Sequence, residues 1–180
     1  MSTAWLPPVD YFIAIAEADK ILIDSWEFYQ KQSYRNRCTI ATANGAMALS
    51  IPVEKPAGNK FVVRDVRISS HGNWQLQHWR TLESAYLSSP FFEYYADDFR
   101  PFFEKKYDFL IDYNAEILTC ICDLLDLQPD IQLTDSYLQP DPDIVDLREL
   151  IHPKKDIHVF PVKPYYQVFQ TKSGFIPGLS

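Results

Sequence analysis

The sequence predicts an α/β fold: one domain with a small mixed sheet, helices packed on that sheet, and a proline-rich, extended C-terminal third. Three observations support this class. Helical patterns interleave with apolar strand candidates, a length of 180 residues suits a single domain with a real core, and 47% hydrophobic residues exclude a disordered chain. Seven of the thirteen prolines fall between Pro129 and Pro177, so we expect 129–180 to wrap the core.

The first part of the chain reads as a helix followed by a buried strand. Leu6-Pro7-Pro8 leads into a predicted helix over 9–18, because proline suits a first turn whose N–H groups have no partner. Apolar residues recur there at three- and four-residue spacing. Residues 20–24 then predict a short strand that ends in Asp24, which is either a ligand-facing carboxylate or a group that caps a loop.

The middle of the chain predicts a three-stranded, mostly antiparallel unit. Asn44-Gly45 separates two apolar runs, 38–42 and 46–53, and this dipeptide is a strong hairpin signal. The valine-rich segment 61–69 favours a third strand with Arg64, Asp65 and Arg67 on its exposed side, and 55–60 reads as a polar turn.

The second half of the chain predicts five more helices and two extended segments. Asn73 and Asp112 are expected to cap helices over 74–87 and 113–127. In the first of these, Leu76, Trp79, Leu82 and Tyr86 form one buried stripe that leaves Arg80 outside. Two short helices (90–95 and 97–106, the latter ending in Lys105 and Lys106), a strand (131–134), a helix (145–151) and an extended segment (165–171) complete the prediction.

Composition excludes several function classes. A net charge of −7 argues against general nucleic-acid binding, which needs a broad positive surface. The sequence has no apolar run of membrane-spanning length and no signal peptide, and its three cysteines form no disulfide framework, so we expect a cytoplasmic protein without a membrane span. Five glycines leave no dinucleotide-binding or P-loop motif. No metal site or cofactor is assigned, and the oligomeric state is not predicted.

One basic stretch stands out against the acidic total. Residues 29–37 contain Lys31, Arg35 and Arg37 without an acid, and Tyr34 and Asn36 lie between these cations. Guanidinium and phenol groups suit a phosphate, a carboxylate or sugar hydroxyls, so we expect an anionic small-molecule partner here. The alternative is a solvated face with weak surface ion pairs.

His78 is the candidate general base, because an imidazole pKa near 6.5 suits proton transfer at neutral pH. Arg80 lies two residues further on as a candidate substrate-binding group, and Asp24 would orient the acceptor. A single helical histidine is more often a structural partner of a carboxylate. Cys38 follows two arginines, which favour a thiolate, but a cysteine that begins an apolar strand is more often simply buried.

Four segments resemble the WbqC-like family, bacterial proteins found among genes for surface polysaccharides. They are L-P-P-V-D-Y-F at 6–12, Y-Q-K-Q-S-Y-R-N-R at 29–37, the H-W-R-T and S-P-F-F-E-Y-Y strings within 74–95, and Y-Q-V-F-Q with G-F-I-P-G-L-S at 166–180. Family members usually carry a strand before the first segment and an apolar, helix-like segment after the last. The resemblance therefore implies that terminal elements are missing here.

The resemblance implies a role near glycan or modified-sugar synthesis, and two function classes stay open. The first is a transferase that acts on a nucleotide-linked or modified sugar, or on an acyl or aminoacyl donor. The second is a glycan- or metabolite-binding scaffold protein without turnover. In both, we expect the basic stretch, Asp24 and His78 to line one cleft. If 33–37 is extended, Arg35 and Arg37 share a face and form a two-arginine clamp.

Overall fold

The computed structural model describes residues 1–54, 60–155, 159–161, 163–176 and 178–180 and confirms the α/β class. Its regular elements, in chain order, are α1 (Val9–Glu17), β1 (Ile21–Ile23), β2 (Arg37–Thr42), β3 (Gly45–Ser50), α2 (Trp74–Tyr86), α3 (Phe92–Phe99), α4 (Leu110–Leu124), β4 (Ile131–Leu133) and α5 (Gln170–Ser173).

The strands form two separate pairs, one parallel and one antiparallel. β1 pairs in parallel with β4, so that Ile21 lies opposite Ile131, and β2 pairs with β3 in an antiparallel ladder. Residues 1–5 run alongside β1 and the following loop: the Asp24 amide donates to the Met1 carbonyl at 2.9 Å, and the Trp5 amide donates to the Tyr34 carbonyl at 2.8 Å.

The predicted hairpin is confirmed, with its loop one residue earlier than the dipeptide suggested. Thr42 pairs with Gly45, which leaves Ala43 and Asn44 as the loop. Gly45 adopts a φ of 101°, a conformation that side chains disfavour, so glycine is required where β3 begins. The hydroxyl of Thr42 closes the turn by donating to the Gly45 carbonyl at 2.9 Å.

The predicted third strand over 61–69 is wrong. A 3-10 turn occupies Val63–Asp65, and three single bridges flank it, from Val62 to Phe28, from Arg67 to Phe109 and from Ile68 to Val53. The reason is tertiary: the Val63 amide donates to the Glu27 carbonyl at 2.9 Å instead of joining a ladder beside β3. The predicted exposure of Arg64, Asp65 and Arg67 is confirmed.

The boundaries of α3 and α4 differ from the prediction, and in both helices the backbone explains the difference. α3 is one helix over Phe92–Phe99, and a 3-10 turn over Arg100–Phe103 replaces the helix expected to continue to 106, since Pro101 has no N–H to donate to the Asp97 carbonyl. α4 begins three residues before the predicted start, because Phe109 is extended and the Leu110 amide donates to the Val66 carbonyl at 2.9 Å. Asp112 therefore lies in the first turn of α4 and is not its cap.

The C-terminal third is mostly irregular in the described part of the chain. Where a helix was predicted over 145–151, residues 145–147 are irregular and a turn occupies 148–150. The extended segment predicted over 165–171 gives way to α5 at Gln170. The segment 131–134 is confirmed as β4. Positions 55–59 of the predicted polar turn, and His158, lie outside the described residues.

Two apolar clusters form the core, and α4 contributes to both of them. Trp5, Trp79, Tyr113 and Ile117 belong to the cluster that packs β2 and β3 against α2 and α4. The other cluster gathers α1, β1 and the opposite side of α4. The predicted burial of Trp79 is confirmed, and Arg80 is exposed as expected, but Leu76 is 44% exposed and does not belong to the stripe.

Candidate functional site

The basic stretch does not form the predicted extended clamp. Residues 34–36 turn, and β2 begins only at Arg37, so the strand alternation that would place Arg35 and Arg37 on one face does not apply. Lys31 is exposed, Arg37 is half-buried at the strand start, and Arg35 is buried with 2% of its surface exposed. The three cations therefore lie in three different environments.

Arg35 is committed to a buried ion pair with Glu27. Its Nε donates to Glu27 Oε1 at 2.9 Å and its Nη2 donates to Glu27 Oε2 at 2.5 Å and to Ser2 Oγ at 2.9 Å. Burial raises the pKa of Glu27, and the hydrogen bonds from Arg35 oppose that rise. The guanidinium donors of Arg35 face a protein carboxylate. They are therefore not exposed for binding a substrate, which is the role expected from the sequence.

Asp24 is fully buried and is paired with Arg148. Its carboxylate accepts a close hydrogen bond from Arg148 Nη1, one from the Trp26 amide at 3.0 Å and one from the Thr134 hydroxyl at 3.2 Å. Arg148 also pairs with Asp146, and the hydrogen bonds to Arg148 lower the pKa of Asp146. Of the two interpretations of Asp24, the loop-capping one describes these contacts.

The polar neighbours of the basic stretch are structural as well. Asn36 is buried, and its Nδ2 donates to the Ile51 carbonyl at 2.8 Å. Asn114 Nδ2 donates to the Arg35 carbonyl at 2.8 Å and to Thr3 Oγ1 at 3.1 Å. Sequence reasoning missed Asn114 and Glu27. Glu27 lies just before the acid-free stretch. A search for acidic ion-pair partners within ten residues of Arg35 would have identified it.

His78 lies between aromatic rings and away from these ion pairs. Its ring stacks on Trp5 with centroids 5.3 Å apart and meets Trp74 edge-on at the same separation. Burial lowers the pKa of His78 to about 4, so the imidazole is neutral at pH 7. Among the described residues, no hydrogen bond or ion pair joins His78 to Asp24 or Arg35, and the expected single cleft is not assembled around these groups.

Cys38 is buried in β2, which supports the simpler of its two interpretations. Burial raises the pKa of this thiol to about 12, a larger effect than the opposing influence of Arg37. The thiol is therefore protonated at neutral pH and unsuited to nucleophilic attack.

A cavity of about 190 Å³ collects polar groups beside Tyr34, and we call it the polar cavity. Its functional side chains are Asp10 from α1, Tyr34, Thr39 from β2, His152 and Lys155. The Asp10 carboxylate accepts the Val159 amide at 3.1 Å, and burial raises the pKa of Tyr34 to about 12. His152 Nδ1 accepts the Lys154 amide at 3.1 Å, and burial lowers its pKa.

The polar cavity suits a small anionic or hydroxylated ligand. Lys155 offers an ammonium group, Tyr34 a phenol and His152 an imidazole N–H, while the Asp10 carboxylate already accepts backbone amides. Within the ranges described above, no group of His, Cys, Asp and Glu side chains could hold a metal ion. In the same ranges, no helix has the length and apolar character needed to cross a bilayer.

Two comparisons place the chain among known proteins. A profile of the WbqC-like protein family matches residues 3–152. The chain is also 30% identical, over 122 residues, to a protein of Mycobacterium tuberculosis (strain ATCC 25618 / H37Rv) named uncharacterized protein Rv1507c; the match covers 67% of this chain and 52% of that protein. The chain thus spans about half the length of this relative. No solved structure matches it.

The family match takes in much of what surrounds the polar cavity. It includes the helix that carries Asp10, the basic stretch with Tyr34, the strand with Thr39, and His152 at its last position. Since the matched residues make up most of the sequence, this protein belongs to the WbqC-like protein family.

Proposed function

We propose that this protein is a cytoplasmic transferase of bacterial surface-polysaccharide synthesis that binds an anionic small molecule in the polar cavity. The substrate class is a nucleotide-linked or modified sugar, or an acyl or aminoacyl donor. The observation that carries the proposal is the convergence of Asp10, Tyr34, His152 and Lys155 on one cavity of about 190 Å³. The association of the WbqC-like family with polysaccharide genes supports the pathway.

The roles in the polar cavity follow from the charge and hydrogen bonding of each group. Lys155 would hold a phosphate or carboxylate, and the Tyr34 hydroxyl, which donates to the Gly178 carbonyl at 3.5 Å, would turn to donate to the same anion. His152 accepts a backbone N–H at Nδ1, which assigns its proton to Nε2 and makes that nitrogen a second donor. Asp10 already accepts the Val159 and Phe160 amides, and its carboxylate forms part of the cavity wall.

Group transfer at such a site depends more on how the donor and acceptor are positioned than on a nucleophilic side chain. The hydroxyl or amine of the acceptor would form the new bond to the transferred group. The bond to the leaving group would break with its electron pair staying on the leaving group, and the acceptor's proton would pass to solvent or to the departing group. Lys155 would stabilise the charge on the anion. Orientation and electrostatics of this kind supply large parts of many enzymatic rate enhancements.

A binding protein without turnover is the second candidate, and one observation favours it. Asp24 and Arg35, two of the residues proposed from sequence for substrate chemistry, are neutralised inside buried ion pairs. His78 sits between tryptophan rings. Under this alternative, the polar cavity would hold a glycan or metabolite and the rest of the protein would act as a scaffold.

A ligand panel with matched lysine variants tests both candidates. We would measure melting temperature and dissociation constants with nucleotide-sugars, sugar phosphates, aminoacyl donors and acyl thioesters, and monitor products by mass spectrometry. Lys155→Gln should weaken binding of the anionic ligand about 10- to 100-fold, the equivalent of one charge-assisted hydrogen bond. Lys154→Gln is the matched control, because this exposed neighbour does not line the cavity.

The outcomes separate the two candidates. Product formation that Lys155→Gln slows and Lys154→Gln leaves unchanged supports the transferase. Binding with the same variant pattern, but without turnover of any donor and acceptor pair in the panel, supports the binding protein. Equal effects of the two lysine variants would show that the polar cavity is not the site.

A further inference from the structure

β3 is an edge strand, and the hydrogen bonds of β2 show which of its backbone groups point outward. Ser180 covers the far edge of β2: its amide donates to the Thr39 carbonyl at 2.8 Å, and the Thr39 amide donates to Ser180 Oγ at 3.1 Å. Opposite residues in an antiparallel pair either exchange hydrogen bonds or both point their backbone groups away from each other. Ala48 lies opposite Thr39, so the N–H and C=O of Ala48 point away from β2.

The same outward direction applies to Ala46, because the two kinds of pair alternate along the ladder. Within the described part of the chain, no residue pairs with the outward N–H and C=O groups of Ala46 and Ala48. Ala46, Met47 and Ala48 are all exposed, Met47 to 45%. β3 therefore offers two backbone donors and two backbone acceptors at an accessible edge.

The other strands are covered or protected at their edges. On the side of β1 that faces away from β4, the Met1 ammonium donates to the Leu22 carbonyl at 2.6 Å. β4 has three residues, and Gln132 Nε2 on it donates to the carboxylate of Asp130 at 3.0 Å. Natural edge strands are commonly short or protected by charged side chains, proline or a bulge. β3 has six residues without a charge or a proline, and its register with β2 contains no bulge.

The open part of this edge is limited to β3 itself. The Ser69 amide donates to the Pro52 carbonyl at 2.9 Å, and the Glu54 amide donates to the Arg67 carbonyl at 3.0 Å. The segment 67–69 thus occupies the same edge just beyond β3. An added strand has to pair with Ala46 and Ala48 and end before it reaches that segment.

We propose that β3 pairs in an antiparallel ladder with β3 of a second copy of this chain, around a two-fold axis at Met47. The strand is a palindrome about this axis, A-M-A, so that Ala46 meets the partner's Ala48 and Met47 meets the partner's Met47. The two alanine pairs would exchange four hydrogen bonds, and the methionines would form the non-hydrogen-bonded pair, in which side chains lie closest.

The edge itself selects a second copy as the occupant. It carries no charged side chain that would recognise a different partner, whereas its own sequence supplies small residues opposite small ones and an exposed apolar side chain opposite its equal. A two-fold contact uses the same patch on both copies and therefore closes at a dimer, with a four-stranded sheet across it. This pairing does not depend on the proposed function.

Sedimentation equilibrium and amide exchange test the pairing on the full chain. A concentration series should show a monomer that converts to a dimer. In hydrogen exchange read by NMR, the amides of Ala46 and Ala48 should gain protection as the dimer forms. The Met47 amide serves as the internal control, because it points towards β2 and is already protected in the monomer.

Charge variants at the axis test its position. Met47→Lys and Met47→Glu each place like charges directly opposite one another, so each variant alone should raise the dimer dissociation constant about tenfold. An equal mixture of the two should form a mixed dimer, because the charges are then opposite. Gln132→Lys, on the exposed part of β4, is the matched control and should leave dimerisation unchanged.

A proline variant removes the edge donors without changing charge. Ala48→Pro deletes one outward N–H in each copy, and proline is tolerated on an edge strand where the N–H faces solvent. The dimer dissociation constant should rise at least tenfold, as expected for the loss of two hydrogen bonds. If Ala48→Pro does not fold, the exposed Met47 variants decide the question.

Each other outcome overturns the pairing. A monomer at every concentration excludes it, and so does a dimer in which the Ala46 and Ala48 amides exchange as in the monomer. Protection that does not change with concentration shows an edge covered within one chain. A lysine and glutamate mixture that stays monomeric, or equal weakening by Gln132→Lys, removes the axis at Met47. Ligand binding in the polar cavity of a strict monomer leaves the proposed function standing and removes only the dimer.

Discussion

Replacing Arg35 by Gln should destabilise the protein without acting through ligand binding. Arg35 and Glu27 are 2% and 4% exposed, and three hydrogen bonds from the guanidinium end on Glu27 and Ser2. Removing one partner of such a buried pair leaves an uncompensated charge, which costs about 3–5 kcal/mol. The free energy of unfolding from urea titrations would measure this loss, with the m-value checked for constancy.

The loss of stability caused by Arg35→Gln should depend on pH, and the titration of Glu27 determines the direction of that dependence. Burial raises the pKa of Glu27, and without Arg35 only the hydrogen bond from the Ser2 hydroxyl opposes that rise. A folded-state pKa above the unfolded value means that the folded state takes up a proton more readily. Stability of the variant therefore increases as the pH falls from 8 towards the ordinary glutamate pKa, and part of the loss is recovered.

Two companion variants show whether the buried pair is the cause. Arg37→Gln removes a half-buried arginine two residues away and should change stability by less than about 0.5 kcal/mol. Replacing Glu27 and Arg35 together by Leu and Met should restore much of the loss, since apolar substitutes often match a buried ion pair. A loss below about 1 kcal/mol for Arg35→Gln, combined with abolished anion binding, would refute this reasoning and return Arg35 to the ligand site.

Three further predictions concern other buried groups. As the pH falls from 7 to 5, the wild type should lose about 1–2 kcal/mol more stability than His78→Gln, a figure that allows for solvent reaching the ring. The reason is that the imidazole of the unfolded chain becomes protonated in this range, whereas the folded one, with a pKa of about 4, stays neutral. Equal pH slopes in urea titrations would contradict this. Trp79→Ala should cost roughly 3–5 kcal/mol, and a loss below about 1 kcal/mol in a denaturant titration would contradict its burial. Asp24→Asn should cost about 3–5 kcal/mol and Asp146→Asn clearly less, because Asp146 is 38% exposed whereas Asp24 is fully buried beside Arg148; similar melting temperatures for the two variants would count against the pair.

Local patterns predicted the elements that depend on local chemistry. The helices expected over 9–18 and 74–87 appear as α1 and α2 within one residue at each end, because their apolar spacing matches the face that each helix buries. The hairpin follows from Asn44-Gly45, since the positive φ of Gly45 is a local requirement. These features need no knowledge of distant residues.

Elements that depend on distant backbone partners were predicted less well. Valines at 62, 63 and 66 favour a strand on their own, but the amides at 63 and 64 donate to the carbonyls of Glu27 and Ser25. The true start of α4 depends on the bridge between Phe109 and Arg67. No periodicity within either segment contains that information.

The candidate site shows the same division. The sequence identified an unusual concentration of cations, and Tyr34 from that stretch does line the polar cavity. Which of these cations can meet a ligand depends on their ion pairs: Arg35 is paired with Glu27, whereas Lys31 is exposed. His152 and Lys155 had no patterned neighbours in the proline-rich third, so only the folded chain brings them to Tyr34.

The parallel pairing of β1 with β4 has a consequence for how the chain folds. The β2–β3 hairpin needs only a two-residue loop, whereas the carboxylate of Asp24 reaches a partner 124 residues away. The entropy cost of closing so long a loop arises before its contacts can stabilise the chain. Folding should therefore be slow for a chain of this size. The hairpin and α2 are expected to be structured in the transition state before β4 docks. Substitutions around Arg148 should then speed unfolding and leave the refolding rate nearly unchanged, the low-φ signature of late contacts.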